Sequence, residues 1–157
     1  MPKPGSIEKS RKELTFFEGL AAPQKVRLRD LGRDVLFDRD DIVFKEGEES
    51  TSFYIILSGR VSLEVTALGR TLRVVTLDDG DGFGWSSLLP NHGKQFQARA
   101  LGPVHALCFD AAKLRFACEQ DPAFGYEIMK RLLMLVSERL QALRIQMFDM
   151  YSPAGGR

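Results

Sequence analysis

A glycine-rich segment followed by two serines has the clearest potential for binding chemistry in this sequence. Glycines stand at positions 80, 82 and 84, and Ser86 and Ser87 follow after one intervening residue. Residues 85–89 are expected to form a single helical turn. At the start of such a turn, a serine hydroxyl either caps the backbone or donates a hydrogen bond to an anion. The sequence leaves both interpretations of these serines open.

Metal chemistry and catalysis are poorly supported by the remaining reactive residues. His92 and His105 are the two histidines, and they lack the closely spaced pair of cupin-type metalloenzymes. Cys108 and Cys118 have neither metal-site spacing nor the number needed for a disulfide framework. The glycines also miss the dinucleotide-binding pattern, because Trp85 stands where the third glycine is required. We therefore predict no metal site, no catalytic residue and no enzymatic activity.

Composition limits the classes of partner. The chain has 157 residues, 44% of them hydrophobic and 27% charged, which is typical of one globular domain. A net charge of +1 gives no general attraction to nucleic acid or anionic lipid. The longest apolar run, Leu132 to Val136, is too short to span a membrane, and the polar first residues contain no secretory segment. We expect a cytoplasmic protein with reduced cysteines.

The middle of the chain has the pattern of closely spaced β-strands. Between residues 33 and 109, short apolar or alternating runs are separated by turn residues. The predicted strands lie at 35–37, 42–44, 53–57, 61–65, 72–77, 96–100 and 104–109. Strands with such regular turns indicate a barrel or jelly roll rather than a sheet with crossover helices.

Helices are predicted on both sides of the strands. The opening segment, with an apolar cluster at Leu14, Phe16, Phe17 and Leu20, is expected to be helical. A second helix is expected from Pro23 to Gly32. Beyond the strands, Asp110 and Asp121 are good N-caps for a short helix ending near Glu119 and a long final helix.

The final helix carries two apolar stripes. One stripe, formed by Phe124, Ile128, Leu132 and Leu135, suits packing on the barrel and fades at Arg139 and Ala142. The other continues to Met150 in steps of three and four residues, which is typical of a coiled-coil seam. We predict a homodimer through this seam, although a purely intramolecular role remains an alternative. The candidate interface residues are Leu133, Val136, Leu140, Leu143 and Met147.

Three glycine-bearing segments, taken in order, resemble a known family. Glu46-Gly47-Glu48 is interpreted as the end of a hairpin, a buried strand breaks at Gly59, and residues 80–89 form the glycine-rich turn. Together they resemble the cyclic-nucleotide-binding domain, as in the effector domain of catabolite activator proteins. The resemblance spans about residues 16–150. It implies one mainly-β domain over residues 1–157, with a jelly-roll barrel at 33–109 and a C-terminal helix at 121–150.

The resemblance implies that the segment after Gly84 is a phosphate-binding cassette, in which a helix N-terminus faces the cyclic phosphate. Family members place a glutamate for the ribose next to that glycine and an arginine for the phosphate before the following strand. Here Trp85 and Lys94 hold these positions, and Arg99 lies in the next strand. Without the glutamate, a bond of about 1.5–3 kcal/mol to the ribose is lost. The candidate ligand-binding residues are Gly84, Trp85, Ser86, Ser87, Lys94 and Gln95.

The expected function is a non-enzymatic sensor that requires no cofactor. A cyclic nucleotide or another small anion at residues 84–89 and Lys94 is expected to shift the short turn against the final helix. That shift biases the dimer or the docking of a protein partner. The alternative is a ligand-free dimeric scaffold with a vestigial pocket. Direct DNA binding is not expected, because residues 151–157 are too few for a recognition helix.

Overall fold

Eight strands form two antiparallel sheets of four in the computed structural model, which describes residues 16–89 and 93–151. The strands are β1 (Gly32–Phe37), β2 (Ile42–Phe44), β3 (Ser52–Ser58), β4 (Val61–Ala67), β5 (Arg70–Leu77), β6 (Gly82–Phe83), β7 (Gln97–Ala100) and β8 (Val104–Asp110). The first sheet has the order β1-β8-β3-β6 and the second has the order β2-β7-β4-β5. Chain neighbours such as β3 and β4 thus lie in different sheets, which confirms the predicted jelly roll.

Two apolar clusters hold the sheets and helices together. The interior of the barrel is filled by buried residues that include Phe44, Leu63 and Phe83, and Phe96 packs against them. A second cluster lies between the first sheet and the helices and includes Phe53, Phe109 and Phe124. Phe83 is therefore fully buried in the barrel core, and Phe96 is partly buried against it.

Helices flank the strands as expected, and two of their caps are formed by the predicted aspartates. They are α1 (Ala22–Leu31), a 3-10 helix (Trp85–Leu88), α2 (Ala111–Gln120) and α3 (Pro122–Tyr151). The Asp110 carboxylate accepts from the Lys113 N–H at 3.0 Å, and the Asp121 carboxylate accepts from the Phe124 N–H at 3.2 Å. No helix in the described part of the chain combines the length and apolar character needed to cross a membrane.

The segment before α1 corrects one prediction. Residues 16–19 form a turn instead of a helix, because Gly19 adopts a left-handed φ of 81° that ends the local winding. Phe16, Phe17 and Leu20 are nevertheless buried in the second cluster. Leu14, the other predicted member of the apolar cluster, lies outside the described residues.

The turn at Gly47 corrects a second prediction, namely that Glu46-Gly47-Glu48 is the end of a hairpin. It does not close a hairpin, because β2 pairs with β7 whereas β3 pairs with β8 and β6. Instead, the Gly47 N–H donates to the Lys94 carbonyl and the Lys94 N–H donates to the Glu48 carbonyl, both at 2.8 Å. The turn therefore fixes the backbone of Lys94 beside β2. Sequence analysis also missed β6, which at two residues is too short for a periodic signal.

Helix α3 packs on the barrel over a longer stretch than predicted. The four apolar residues of the first stripe are all buried, as expected. Arg139, where that stripe was expected to fade, is only 8% exposed and donates to the Gly82 carbonyl at 2.9 Å. Its aliphatic stem and this bond extend the buried face by a further turn. Leu133, Leu140 and Met147 of the second stripe are 60–71% exposed.

Substitution of Gly59 tests how closely the backbone of residues 103 and 104 approaches the corner between the two sheets. At its φ of 111°, an alanine Cβ would lie 2.5 Å from the Pro103 carbonyl oxygen and 2.9 Å from the Val104 Cα. We expect Gly59→Ala to lower the free energy of unfolding by about 3 kcal/mol or more, because backbone atoms must move. Urea denaturation measures the change.

Gly69→Ala is the matched control. Gly69 has a φ of 72°, but an alanine Cβ there would meet no described residue within 4 Å beyond its two chain neighbours. Only the left-handed backbone then opposes the substitution, and we expect a loss of about 1 kcal/mol. Equal losses in the two variants would contradict the close approach at this corner.

Candidate functional site

The 3-10 helix begins at a left-handed glycine, and a serine within the helix is hydrogen-bonded to that glycine. Gly84 has a φ of 82°. The Ser87 hydroxyl donates to the Gly84 carbonyl at 2.8 Å, and the buried Ser86 hydroxyl is hydrogen-bonded to that of Ser50, also at 2.8 Å. Neither serine accepts a hydrogen bond from a backbone N–H of the turn, so neither acts as its N-cap. The Arg115 guanidinium of α2 donates to the Ser87 carbonyl at 2.6 Å and ties the turn to that helix.

Lys94 buries its ammonium group beneath this turn. The side chain is 5% exposed, and Nζ donates to the Ser52 carbonyl at 2.6 Å. Nζ also lies 4.3 Å from the centre of the Phe44 ring. No carboxylate among the described residues forms an ion pair with it. The site therefore contains a buried cation whose partners are a carbonyl and an aromatic ring.

Burial makes the Lys94 ammonium more acidic than that of an ordinary lysine. Burial lowers the pKa of Lys94 to about 8, and Cys108 and Glu48 offset only part of this effect. The cause is the loss of hydration, which favours the neutral amine over the ammonium. Near neutral pH the group still carries most of its positive charge, so it retains a strong preference for an anionic partner.

The pocket between the predicted ligand-binding residues is nearly closed. Its lining includes all but one of the six: Gly84, Trp85, Ser86, Lys94 and Gln95. Ser87 is buried on the other side of the turn and does not line the pocket. The volume is about 10 Å³, enough for about one water molecule, whereas small-molecule pockets usually measure about 300–1,000 Å³. A ligand of nucleotide size fits only if residues that line this pocket, such as the half-buried Trp85 or the exposed Gln95, move apart.

Arg99 belongs to a separate network. Its guanidinium lies 3.2 Å from the Glu64 carboxylate, which also accepts from Gln97 at 2.9 Å and from Ser62 at 2.8 Å. Although burial alone raises the pKa of Glu64, the hydrogen bonds from these three residues hold it below its ordinary value. The charge of Arg99 is therefore balanced by Glu64, and Arg99 does not line the pocket at Lys94.

Several contributors to the site were not predicted. Phe44 of β2 and the Ser52 carbonyl of β3 contact Lys94, which lies outside the strands, and Arg115 reaches the turn from α2. No local signal in the sequence identifies these contacts. His105 is bonded to Asp34 at 2.7 Å, while His92 lies outside the described residues. Within the described ranges, no cluster of side chains has the composition of a metal site.

The part of the chain that forms the barrel, the turn and helix α2 matches the model of a known protein family. The model for the cyclic nucleotide-binding domain matches residues 34–121, more than half of the chain. The chain belongs to the cyclic nucleotide-binding domain family. The match includes the whole barrel after the start of β1, the 3-10 helix and α2, so the predicted resemblance is confirmed.

Two curated relatives have regulatory roles. A cAMP-dependent protein kinase regulatory subunit from Mycosarcoma maydis is 29% identical over 117 residues, which cover 74% of this chain and 21% of that protein. A CRP-like cAMP-activated global transcriptional regulator from Mycobacterium tuberculosis is 28% identical over 136 residues, which cover 86% of this chain and 59% of that protein. The chain thus spans between about a fifth and three fifths of the length of these relatives.

A solved structure supports the fold independently. A cyclic nucleotide-binding domain from Methylobacillus flagellatus superimposes with a TM-score of 0.78 and 17% identity. The alignment covers 92% of this chain and 83% of that one. At this identity, the similarity concerns the fold alone.

Replacing Lys94 with methionine tests whether its buried charge opposes folding. We expect Lys94→Met to raise the free energy of unfolding by about 1 kcal/mol below pH 8, because a buried charge without a counter-ion is removed. As pH rises from about 8 toward 10.5, native Lys94 loses its proton before the unfolded chain does. The wild type then becomes relatively more stable, and the advantage of the variant disappears. Urea denaturation at several pH values measures this profile.

Lys45→Met serves as the control, since Lys45 is adjacent to β2 and exposed. We expect little change in its stability at any pH, because a solvated ammonium loses no hydration on folding. A Lys94→Met variant that is destabilised at every pH would contradict the buried-cation interpretation.

Proposed function

We propose that this domain is a non-enzymatic regulatory module that binds a small anionic ligand beneath the Trp85–Leu88 turn. The observation that carries the proposal is the buried ammonium of Lys94, which has no carboxylate partner among the described residues. Membership of the family and the cAMP-linked roles in the names of both curated relatives support a sensing function. The ligand is a cyclic nucleotide held in an altered manner or another small anion, and no cofactor is required.

The lining of the pocket favours recognition through charge. Trp85 stands where a ribose-binding carboxylate is expected, and no carboxylate lines the pocket among the described residues. A cyclic nucleotide must therefore bind without that acceptor. Lys94 provides a point charge instead of the two-pronged fit of an arginine, which reduces selectivity for the geometry of a phosphate. An anion bound here also restores the counter-ion that Lys94 lacks.

The effect of ligand binding is transmitted from the turn to α2 and from α2 to α3. Because the pocket holds about one water molecule, binding must move Trp85 and the turn outward. The bond from Arg115 to Ser87 links the turn to α2. Helix α2 is in close contact with α3, where a Cβ on Gly125 would lie 2.6 Å from the Cys118 carbonyl oxygen. Movement of the turn therefore changes the position of α2 and, through it, the position of α3.

In this proposal, the domain forms a homodimer through α3, and ligand binding changes the geometry of that dimer. Leu133, Leu140 and Met147 are separated by seven residues and are 60–71% exposed in the single chain. A helix that presents large apolar side chains at heptad spacing is stabilised by a second helix. Val136 and Leu143 complete the proposed interface, and a change in the dimer geometry conveys ligand binding to a protein partner.

The closed pocket favours a second candidate, a dimeric scaffold that binds a partner protein without any ligand. Lys94 already donates to the Ser52 carbonyl, and the Ser87 hydroxyl already donates to the Gly84 carbonyl. Both polar groups thus have hydrogen-bond partners within the protein and do not depend on a bound anion. Ligand-dependent stabilisation separates the two functions.

Thermal unfolding against cyclic AMP, cyclic GMP, cyclic dinucleotides and inorganic anions tests the sensor. A ligand at a hundred times its Kd adds about 2.7 kcal/mol, which raises Tm by roughly 5–10 °C. We expect one of these compounds to produce such a rise in the wild type and a much smaller one in Lys94→Met. No rise with any compound would favour the scaffold. An equal rise in both proteins would contradict the role of Lys94.

Leu140→Glu tests the dimer. The substitution introduces a charge at the centre of the proposed interface, and we expect sedimentation equilibrium to show a monomer where the wild type is a dimer. Leu36→Glu is the matched control, since Leu36 is 79% exposed on β1 and lies outside α3. A dimer that persists in Leu140→Glu would contradict the α3 interface.

A further inference from the structure

An open groove lies between helices α1 and α2. It has a volume of about 450 Å³, which is large enough to take up side chains of another molecule. Its lining consists of Arg27 and Leu31 from α1 and of Ala112, Lys113, Phe116 and Ala117 from α2. The groove shares no lining residue with the pocket at Lys94, so the two are separate sites.

The apolar part of this groove contains an exposed aromatic ring. Phe116 is 62% exposed, whereas every other phenylalanine of the described chain except Phe148 is buried or half-buried. Leu31, which also lines the groove, is half-buried. Covering an exposed aromatic side chain is favourable, because apolar surface is removed from water. An apolar side chain of a partner that enters the groove is therefore stabilised by contact with Phe116 and Leu31.

The groove is cationic although the whole chain is nearly neutral. Among the described residues that line it, two are basic and none is acidic. Helices α1 and α2 together carry five basic residues and two acidic ones, whereas the net charge of the chain is +1. A local excess of positive charge attracts an acidic partner and repels a basic one.

The two basic residues of the lining differ in their own partners. Arg27 lies 3.2 Å from the Asp121 carboxylate and 5.1 Å from the centre of the Phe124 ring, so its guanidinium is held in place. Lys113 is exposed, and its ammonium forms no ion pair with any described residue. The charge of Lys113 is therefore available to a carboxylate on a docked molecule.

From these observations we propose that the groove binds a segment of a partner protein in which an apolar side chain stands next to acidic residues. The apolar side chain contacts Phe116 and Leu31, and a carboxylate pairs with Lys113. A concave groove accepts a protruding side chain better than it fits the flat surface of a membrane.

This inference names the docking surface for the protein partner of the proposed regulatory module, and it rests on that function. Helix α2 also carries Arg115, which donates to the Ser87 carbonyl of the turn. A partner bound on α2 is therefore sensitive to the position of the turn.

NMR of the backbone amides tests the groove with synthetic peptides. The probes are ten-residue peptides with two central apolar residues, leucine or phenylalanine in each of the four combinations, flanked on both sides by glutamates. The matched peptides replace either the glutamates with lysines or the central pair with serines. We expect amide signals of α1 and α2 to shift and saturate with at least one glutamate probe, and its matched peptides to bind about tenfold more weakly or less.

The titration uses the full chain without any ligand, so its outcome does not depend on whether an anion binds at Lys94. Failure of the docking surface is thus distinguished from failure of the sensor, which the thermal unfolding experiment detects. No saturable shift in α1 and α2 with any glutamate probe would overturn the proposal. Equal affinities for a glutamate probe and its matched peptides would overturn it as well.

Two variants at exposed positions test the individual contacts. Phe116→Ala removes the aromatic ring and Lys113→Glu reverses the charge, and we expect each to weaken binding of the glutamate probe about tenfold or more. Phe148→Ala and Lys45→Glu make the same changes at exposed positions outside the groove, and their affinities should match the wild type. Unchanged affinity in Phe116→Ala would contradict docking in this groove.

Two further measurements distinguish the other possible occupants. We expect Phe116→Ala to have the oligomeric state of the wild type in sedimentation equilibrium, and the wild type not to bind phosphatidylglycerol vesicles. A variant that is a monomer where the wild type is a dimer would assign the groove to a second copy of the chain. Vesicle binding that is lost in Phe116→Ala would assign it to a membrane surface. Either result would overturn the proposed partner.

Discussion

The buried ammonium of Lys94 joins the two sheets at the end of the barrel that carries the Trp85–Leu88 turn. Its carbonyl partner, Ser52, lies in β3 of the first sheet, and its aromatic partner, Phe44, lies in β2 of the second. A Cβ on Gly84 would lie 2.8 Å from the Ser52 carbonyl oxygen and 3.0 Å from Nζ. Only a glycine therefore fits at position 84, beside the carbonyl that accepts the hydrogen bond from Lys94. The chemistry proposed for the turn depends on this packing.

Two further hydrogen bonds connect this end of the barrel to the helices. The turn is bonded to α2 through Arg115, and β6 is bonded to α3 through Arg139. The residues before Gly84 are therefore hydrogen-bonded to α3, and the residues after it are hydrogen-bonded to α2.

Local patterns in the sequence were sufficient for most of the fold. Short apolar or alternating runs predicted seven of the eight described strands, and Asp110 and Asp121 predicted two helix starts, because these signals arise from residues close together in the chain. The turn at Gly47 was wrongly placed in a hairpin, since strands adjacent in sequence pair with distant strands in a jelly roll. Arg139 was expected to end a buried stripe, yet its carbonyl partner at Gly82 lies 57 residues away.

The candidate site was only partly predictable for the same reason. Family resemblance located Lys94 and Trp85, whereas the burial of Lys94 against Phe44 and the small volume of the pocket arise from long-range packing. A pH titration of the Lys94 side chain in the ligand-free protein, followed by NMR of its Cε signal, tests this packing most directly. A midpoint near pH 8 is expected for the buried ammonium. A midpoint near the ordinary lysine value of 10.5 would show a solvated side chain and contradict the proposed anion site.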